Sequence, residues 1–201
     1  MGLIKNLLSE EPGLIEKTAF LIKNKGNTGA YGEYLTKYLF SSVRINGYHK
    51  ELNNIYIPYK NGTSEIDILV LHEKGIFVLE SKNYSGWIFG NEKQKNWTQV
   101  LTKNKKEYFY NPLIQNRTHI NALSNYLKIK KTEMKSIIVF SDRCELKKIP
   151  ENTEEHIITK RNNLIDYIRK ETTYGEIVFT REEIEKMYIK LFLLSNVSEK
   201  N

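Results

Sequence analysis

Three charged side chains stand inside two otherwise apolar runs. Asp67 lies in Ser64-Glu65-Ile66-Asp67-Ile68-Leu69-Val70-Leu71, and Glu80 and Lys82 lie in Ile76-Phe77-Val78-Leu79-Glu80-Ser81-Lys82. The two runs read as the strands of a hairpin joined at His72-Glu73-Lys74-Gly75. Side chains alternate faces along a strand, so Ile76, Val78, Glu80 and Lys82 share one face and Phe77, Leu79 and Ser81 the other. A four-residue loop pairs Leu71 with Ile76, Leu69 with Val78 and Asp67 with Glu80, and Gly75 suits a last loop position with positive φ. Opposed residues have Cβ atoms about 4.5–5.5 Å apart. Two carboxylates that close can share Mg²⁺ or Mn²⁺ at about 2.0–2.2 Å from each oxygen. Without a cation they repel, and one takes up a proton. A three-residue loop puts them on opposite faces and removes the argument.

Two carboxylates with a lysine beside them suit metal-assisted hydrolysis of a phosphodiester. The cation activates a water and neutralises charge on the phosphate. The lysine orients or deprotonates that water, or stabilises the developing negative charge. As a bare pattern Asp-x12-Glu-x-Lys is common, and an edge hairpin with its charges in solvent is the plain alternative. The strands of Ile, Leu, Val and Phe around these charges weigh against it.

The elements that must position these residues follow from periodicity and capping. Leu3 to Lys25 reads as helical with a break near Pro12-Gly13, and Gly26-Asn27-Thr28-Gly29 as a second break. Tyr31, Leu35, Tyr38 and Leu39 give a helix from about 30 to 40. Strands are expected at 43–45, 55–58, 65–71, 76–82, 136–141, 156–159 and 176–179, with one or two short strands or turns over 87–101. Asn111-Pro112 starts a helix with a cap and a proline at its first position. Further helices are expected over 163–170 and after the capping box Thr180-Arg181-Glu182-Glu183. Strands alternating with helices indicate an α/β or α+β fold with a mixed sheet flanked by helices.

The chain has 201 residues, 40% hydrophobic and 27% charged, which suits one globular domain rather than disorder. Its one cysteine, Cys144, excludes an internal disulfide and a cysteine zinc site. His49, His72 and His156 have no metal-ligand spacing, and no serine, threonine or cysteine sits in a nucleophile motif. No apolar run reaches the ~18–20 residues that span a membrane. The N-terminal apolar stretch is too short for a signal peptide, and Asn6 stands where myristoylation wants Ser or Thr. A cytoplasmic protein is expected.

The formal charge is +7. From Tyr84 to Lys131 there are nine basic residues against two acids, Glu92 and Glu107. This placement points to a polyanion such as nucleic acid, with a solvated lysine-rich face as the alternative. Lys93, Lys95, Lys103, Lys105, Lys106 and Arg117 are the candidate phosphate contacts. Trp87, Trp97, Tyr108, Phe109 and Tyr110 are interleaved with the lysines; they can stack on bases or serve packing.

Gly75-Ile76-Phe77-Val78-Leu79-Glu80-Ser81-Lys82-Asn83-Tyr84-Ser85-Gly86 resembles the signature of the nuclease-related (NERD) domain, of the PD-(D/E)xK nuclease superfamily. Gly29-Ala30-Tyr31-Gly32-Glu33 looks like the family's glycine–glutamate element, and Ser64-Glu65-Ile66-Asp67 like its aspartate strand. Gly90 and Trp97 fit the segment that follows. Asn111-Pro112-Leu113-Ile114-Gln115-Asn116-Arg117-Thr118-His119 looks like its Asn-Pro-x-x-Gln helix, and Ile138-Val139-Phe140 fits the next core strand. Ile66 replaces the proline of the superfamily's name.

The resemblance covers about residues 26–142, between an N-terminal helical extension (1–25) and a C-terminal α/β extension packed on the same domain (143–201). It implies a restriction-endonuclease-like three-layer core. It further implies Mg²⁺ (or Mn²⁺) held by Asp67, Glu80, the backbone carbonyl of Ser81 and Glu33. Lys82 would be the catalytic lysine, with Glu33 and Gln115 approaching from the two helices. On residues alone, Glu33 could equally pair with Lys37 at the surface. Gln115 and His119 fall on one polar helix face, where His119 could contact phosphate or substrate. The expected function is a nuclease, with DNA as the more direct substrate. An RNA-directed nuclease and a non-catalytic nucleic-acid-binding or targeting module are the alternatives. A homodimer or a protein partner is compatible with either.

Overall fold

The structure, a computed structural model, describes residues 32, 34–39, 45–103 and 105–198. Glu33, the expected helix over Leu3–Lys25, the break at 26–29 and most of the expected strand at 43–45 lie outside the described residues. Residues 34–39 are helical.

Three long strands form an antiparallel meander: β1 (His49–Tyr59), β2 (Gly62–His72) and β3 (Gly75–Lys82). They are rich in Ile, Leu and Val, which suits a sheet buried on both faces. His72 pairs with Gly75, so the β2–β3 connection is only Glu73-Lys74, shorter than the expected loop but with the same register. Gly75 has φ +136°, a conformation that side chains resist. Leu71 pairs with Ile76 and Leu69 with Val78, as the spacing requires.

β7 (Met134–Phe140) adds parallel to β3, and β9 (His156–Lys160) adds parallel to β7. The result is a five-stranded mixed sheet, β1-β2-β3-β7-β9. One face packs on α1 (Pro112–Leu127) and α3 (Arg181–Ser198) through Ile120, Leu123, Ile184, Met187 and Leu191. The other face packs on α2 (Arg161–Tyr174) through Leu164 and Ile168, with Leu39 beside them. Ile76 and Val78 belong to the first cluster, Phe77 and Leu79 to the second. This is the alternation expected for β3, and the architecture is α/β.

A second sheet of four strands has the order β6-β5-β4-β8: β4 (Gly86–Phe89), β5 (Asn96–Thr102), β6 (Lys105–Tyr110) and β8 (Cys144–Lys148). β4 follows β3 after three residues, and β8 follows β7 likewise. The parallel pair β3–β7 thus breaks and resumes as the parallel pair β4–β8. Arg143 fastens the break by donating from Nη2 to the Asn83 backbone oxygen at 3.2 Å, and the Ser141 amide donates to Lys82 O at 2.9 Å. Gly86 has φ +73° and a position where a Cβ would meet Val100 O at 2.4 Å, so glycine is required there. Ile88, Trp97, Leu113, Ile138 and Phe140 form the core beneath this sheet.

β6 and β8 were not expected. Their sequences, Lys-Lys-Glu-Tyr-Phe-Tyr and Cys-Glu-Leu-Lys-Lys, are charged and mostly exposed, so no apolar alternation marks them. Glu176–Phe179, expected as a strand, is irregular; the amides of Val178 and Phe179 both donate to Glu73 O. Both expected caps form. Asn111 Oδ1 accepts from the Leu113 amide at 2.9 Å, and Thr180 and Glu183 exchange hydrogen bonds.

Phe140 is fully buried and stacks on Trp97 with ring centroids 6.2 Å apart. Phe140→Ala should lower unfolding free energy by about 3–5 kcal/mol, read from the denaturant midpoint. A change under about 1 kcal/mol would show that the two sheets do not share this core.

Candidate active site

The last pair of the β2–β3 ladder is Ile68–Leu79, although both strands continue. β2 goes on with β1, and β3 goes on with β7 as far as Lys82–Phe140. The strands therefore fork where the register sets Asp67 opposite Glu80. In the mouth of the fork Asp67 Oδ2 accepts the Ser81 amide at 2.8 Å, replacing a backbone acceptor with a carboxylate.

Glu80 is 2% exposed. Lys82 Nζ contacts its Oε1 at 2.6 Å, and His119 Nε2 contacts its Oε2 at 3.1 Å. Burial pushes the Glu80 carboxyl up, but the His119 hydrogen bond and the Lys82 charge outweigh it and hold the pKa below the ordinary carboxylate value. A carboxylate only accepts, so His119 Nε2 donates to Glu80, and its Nδ1 is hydrogen-bonded to Ser64 Oγ at 2.6 Å. Serine, histidine and glutamate here have the connectivity of a nucleophilic triad. All three are buried, however, so the relay braces Glu80 instead of presenting an attacking oxygen.

Lys82 Nζ also donates to Gln115 Oε1 at 3.0 Å. The first two turns of α1 thus supply Gln115 to the lysine and His119 to the glutamate. Asn116, fully buried between them in sequence, ties α1 to the sheet by donating to Val78 O and Ser136 Oγ, each at 2.8 Å.

On the opposite face Ser81 Oγ lies 3.2 Å from Thr36 Oγ1. Arg161, at the start of α2, donates from Nε to Thr36 Oγ1 and from Nη2 to Gly32 O, both at 3.2 Å. Tyr84 lies within electrostatic reach of Lys82, Glu80 and Glu107, and its ring packs on Phe109 at 4.3 Å. Burial, offset in part by the Lys82 charge, raises its phenol pKa.

Asp67, Glu80, Ser81, Lys82, Gln115 and His119 come together at this fork. His119, on the same helix face as Gln115 as expected, is 6% exposed and pairs with the buried Glu80 carboxylate. Lys93, Lys95, Lys103, Lys105 and Lys106 are exposed on the second sheet and its loops. Arg117 lies about 200° around α1 from Gln115. It lines a cleft of about 520 Å³ with Lys131, Glu154 and His156, apart from the fork. Sequence reading missed Ser64, Thr36, Tyr84 and Arg161 as site neighbours. Ser64 and Tyr84 lie in the quoted motif stretches, but nothing local marks Arg161.

The model of the nuclease-related domain matches residues 28–141. The chain belongs to the nuclease-related domain (NERD) family. An uncharacterized protein of Bacillus anthracis is 33% identical over 174 residues, covering 86% of this chain and 79% of the relative. No solved structure matches the chain. The NERD match ends before β8, β9, α2 and α3, so Arg161 reaches the fork from outside it.

Asp67 and Glu80 are hard oxygen donors, one of them held ionised, and in donor chemistry they fit a divalent cation. Among the described residues no three His, Cys, Asp or Glu side chains converge as a ligand set.

A carboxyl whose folded pKa is depressed stabilises the fold fully above its unfolded pKa, and that stabilisation is lost as pH falls through the folded value. Wild-type stability should therefore decline as pH drops below the ordinary 4.5, and Glu80→Gln should flatten this part of the profile. Urea titrations between pH 6 and 3 read the difference; equal slopes would show that Glu80 is not held ionised. His119→Leu should cost about 2–3 kcal/mol at pH 7 by removing a hydrogen bond to a buried charge.

Proposed function

We propose that this NERD protein is a metal-dependent nuclease that hydrolyses phosphodiester bonds, with DNA as substrate. The observation that carries the reading is the buried Glu80 at the strand fork, set opposite Asp67 and hydrogen-bonded to Lys82. Asp67 and Glu80 would hold Mg²⁺ or Mn²⁺, with the Ser81 carbonyl and Glu33 as further donors in keeping with the family resemblance. When bound, the cation would lower the pKa of a water and offset charge on the scissile phosphate.

The chain's own groups then have separate tasks. His119 and Ser64 keep Glu80 deprotonated and fixed. Gln115 holds the Lys82 ammonium over the fork. An ammonium has three N–H donors, and Glu80 and Gln115 use two, which leaves one for a phosphate oxygen or the attacking water. Lysines of the second sheet would hold the phosphate backbone, with affinity falling by about one log unit per log unit of salt for each phosphate contacted.

One observation favours a second reading, a nucleic-acid-binding module without catalysis. Both Glu80 oxygens already have protein partners, so the side chain could serve the fold alone.

Cleavage of labelled single- and double-stranded DNA, with Mg²⁺, Mn²⁺ or chelator, separates the two. Wild type should cut only with metal. Glu80→Ala and Lys82→Ala should lose at least about 100-fold in rate, the scale of a general acid–base or charge-stabilising group, while Lys82→Ala keeps its affinity. No cutting by wild type with binding retained would select the module, and unchanged cutting by Lys82→Ala would remove that lysine from the chemistry.

A further inference from the structure

The outer face of the second sheet carries aromatic rings in solvent. Trp87 is 49% exposed, Tyr108 71% and Tyr110 44%. Strand alternation puts them on one side with Val100, Thr98 and Lys106, while Ile88, Trp97 and Phe109 point into the core. Val100 pairs with both Trp87 and Lys106, and Thr98 pairs with both Phe89 and Tyr108. At ~3.4 Å per residue, Tyr108 and Tyr110 stand about 7 Å apart along β6.

Charge accompanies the rings. Lys147 Nζ sits 5.4 Å over the Trp87 ring, Lys106 is on the same face, and Lys103 and Lys105 crowd the β5–β6 turn. Glu145 is the acid beside Trp87, and Lys147 contacts it at 2.5 Å. Beneath the sheet, Tyr84 packs on Phe109 and lies within electrostatic reach of both Lys82 and Glu107, which ties the sheet to the fork through its core.

We propose that this face binds single-stranded nucleic acid, stacking bases on Trp87, Tyr108 and Tyr110 while lysines neutralise the backbone. Bases of a duplex are stacked on one another and cannot offer their faces to protein rings, so the exposed rings favour an unpaired strand. The inference rests on the nucleic-acid reading above and deepens it by naming the form of substrate.

The chain has two tryptophans, and Trp97 is fully buried, so a base stacked on Trp87 is visible as quenching of the exposed emission. The full chain is titrated with a twelve-residue oligothymidylate in chelator, where no metal-dependent cutting intervenes. Quenching is expected in wild type, with weaker binding of the matched duplex. Binding of every variant is read by the anisotropy of an end-labelled oligothymidylate, since replacing Trp87 removes the quenched reporter. Trp87→Ala and Tyr108→Ala should each weaken binding roughly 10- to 100-fold, and by the same factor at low and high salt, because stacking releases no counterions. Trp87→Phe should recover most of the affinity. Tyr174→Ala, an exposed tyrosine on α2, should change nothing.

Unchanged binding by folded Trp87→Ala and Tyr108→Ala would overturn the proposal. So would equal, ring-independent binding of duplex. Self-association abolished by the same substitutions, with no quenching by oligonucleotide, would assign the face to a second copy of the chain and overturn it too. The titration is independent of turnover, so a protein that binds and never cuts would refute the nuclease reading and leave this one standing.

Discussion

A buried carboxylate must be compensated, and much of the site's architecture follows from compensating Glu80. Removing an ion from water costs several kcal/mol even after relaxation. Lys82 repays part of this from two residues away on the same strand, and His119 repays part from α1. Each partner needs its own support: Gln115 for the lysine, Ser64 for the histidine. The placement of α1 over β3 is therefore an electrostatic requirement as well as a hydrophobic one. Asn116, between these two helical residues, fixes the helix to the sheet with two hydrogen bonds.

The fork arises from sheet geometry. β3 lies between an antiparallel neighbour and a parallel one, and near its C-terminal end it keeps only the parallel partner. The Ser81 amide turns to Asp67, and the strand pair breaks after Lys82 and Phe140. A gap opens beside the two carboxylates without leaving the Ser81 amide unpaired. Arg143 and Ser141 then fix the direction in which the chain leaves the break.

The hairpin, its register, the alternation on β3 and the caps of α1 and α3 were legible because each depends on neighbours in sequence. Glu80 and Lys82 stood out as charges in an apolar strand. The strands β6 and β8 were illegible because they are held by partners instead of by their own apolar pattern. For His119 a helical wheel shows the side it shares with Gln115, not that a buried acid waits there. Arg161 could not have been found: an arginine at a helix start looks like any surface cation until the partner segment is known.

Arg161 and Thr36 are separated by 125 positions, yet they meet in the interior. The entropy of closing so long a loop grows only slowly with its length, so equilibrium stability is little affected. The order of events is affected more. The meander β1–β2–β3 can form from local contacts while the chain is still emerging, whereas the turn at Gly32 and Thr36 gains its buried guanidinium only after residue 161 has been made. At about 5–20 residues per second, synthesis from Lys82 to Arg161 takes several seconds. The fork itself needs α1 and β7, within residues 112–140, so in order of synthesis the clamp of Arg161 on the neighbouring helical turn is the last of these parts to be made.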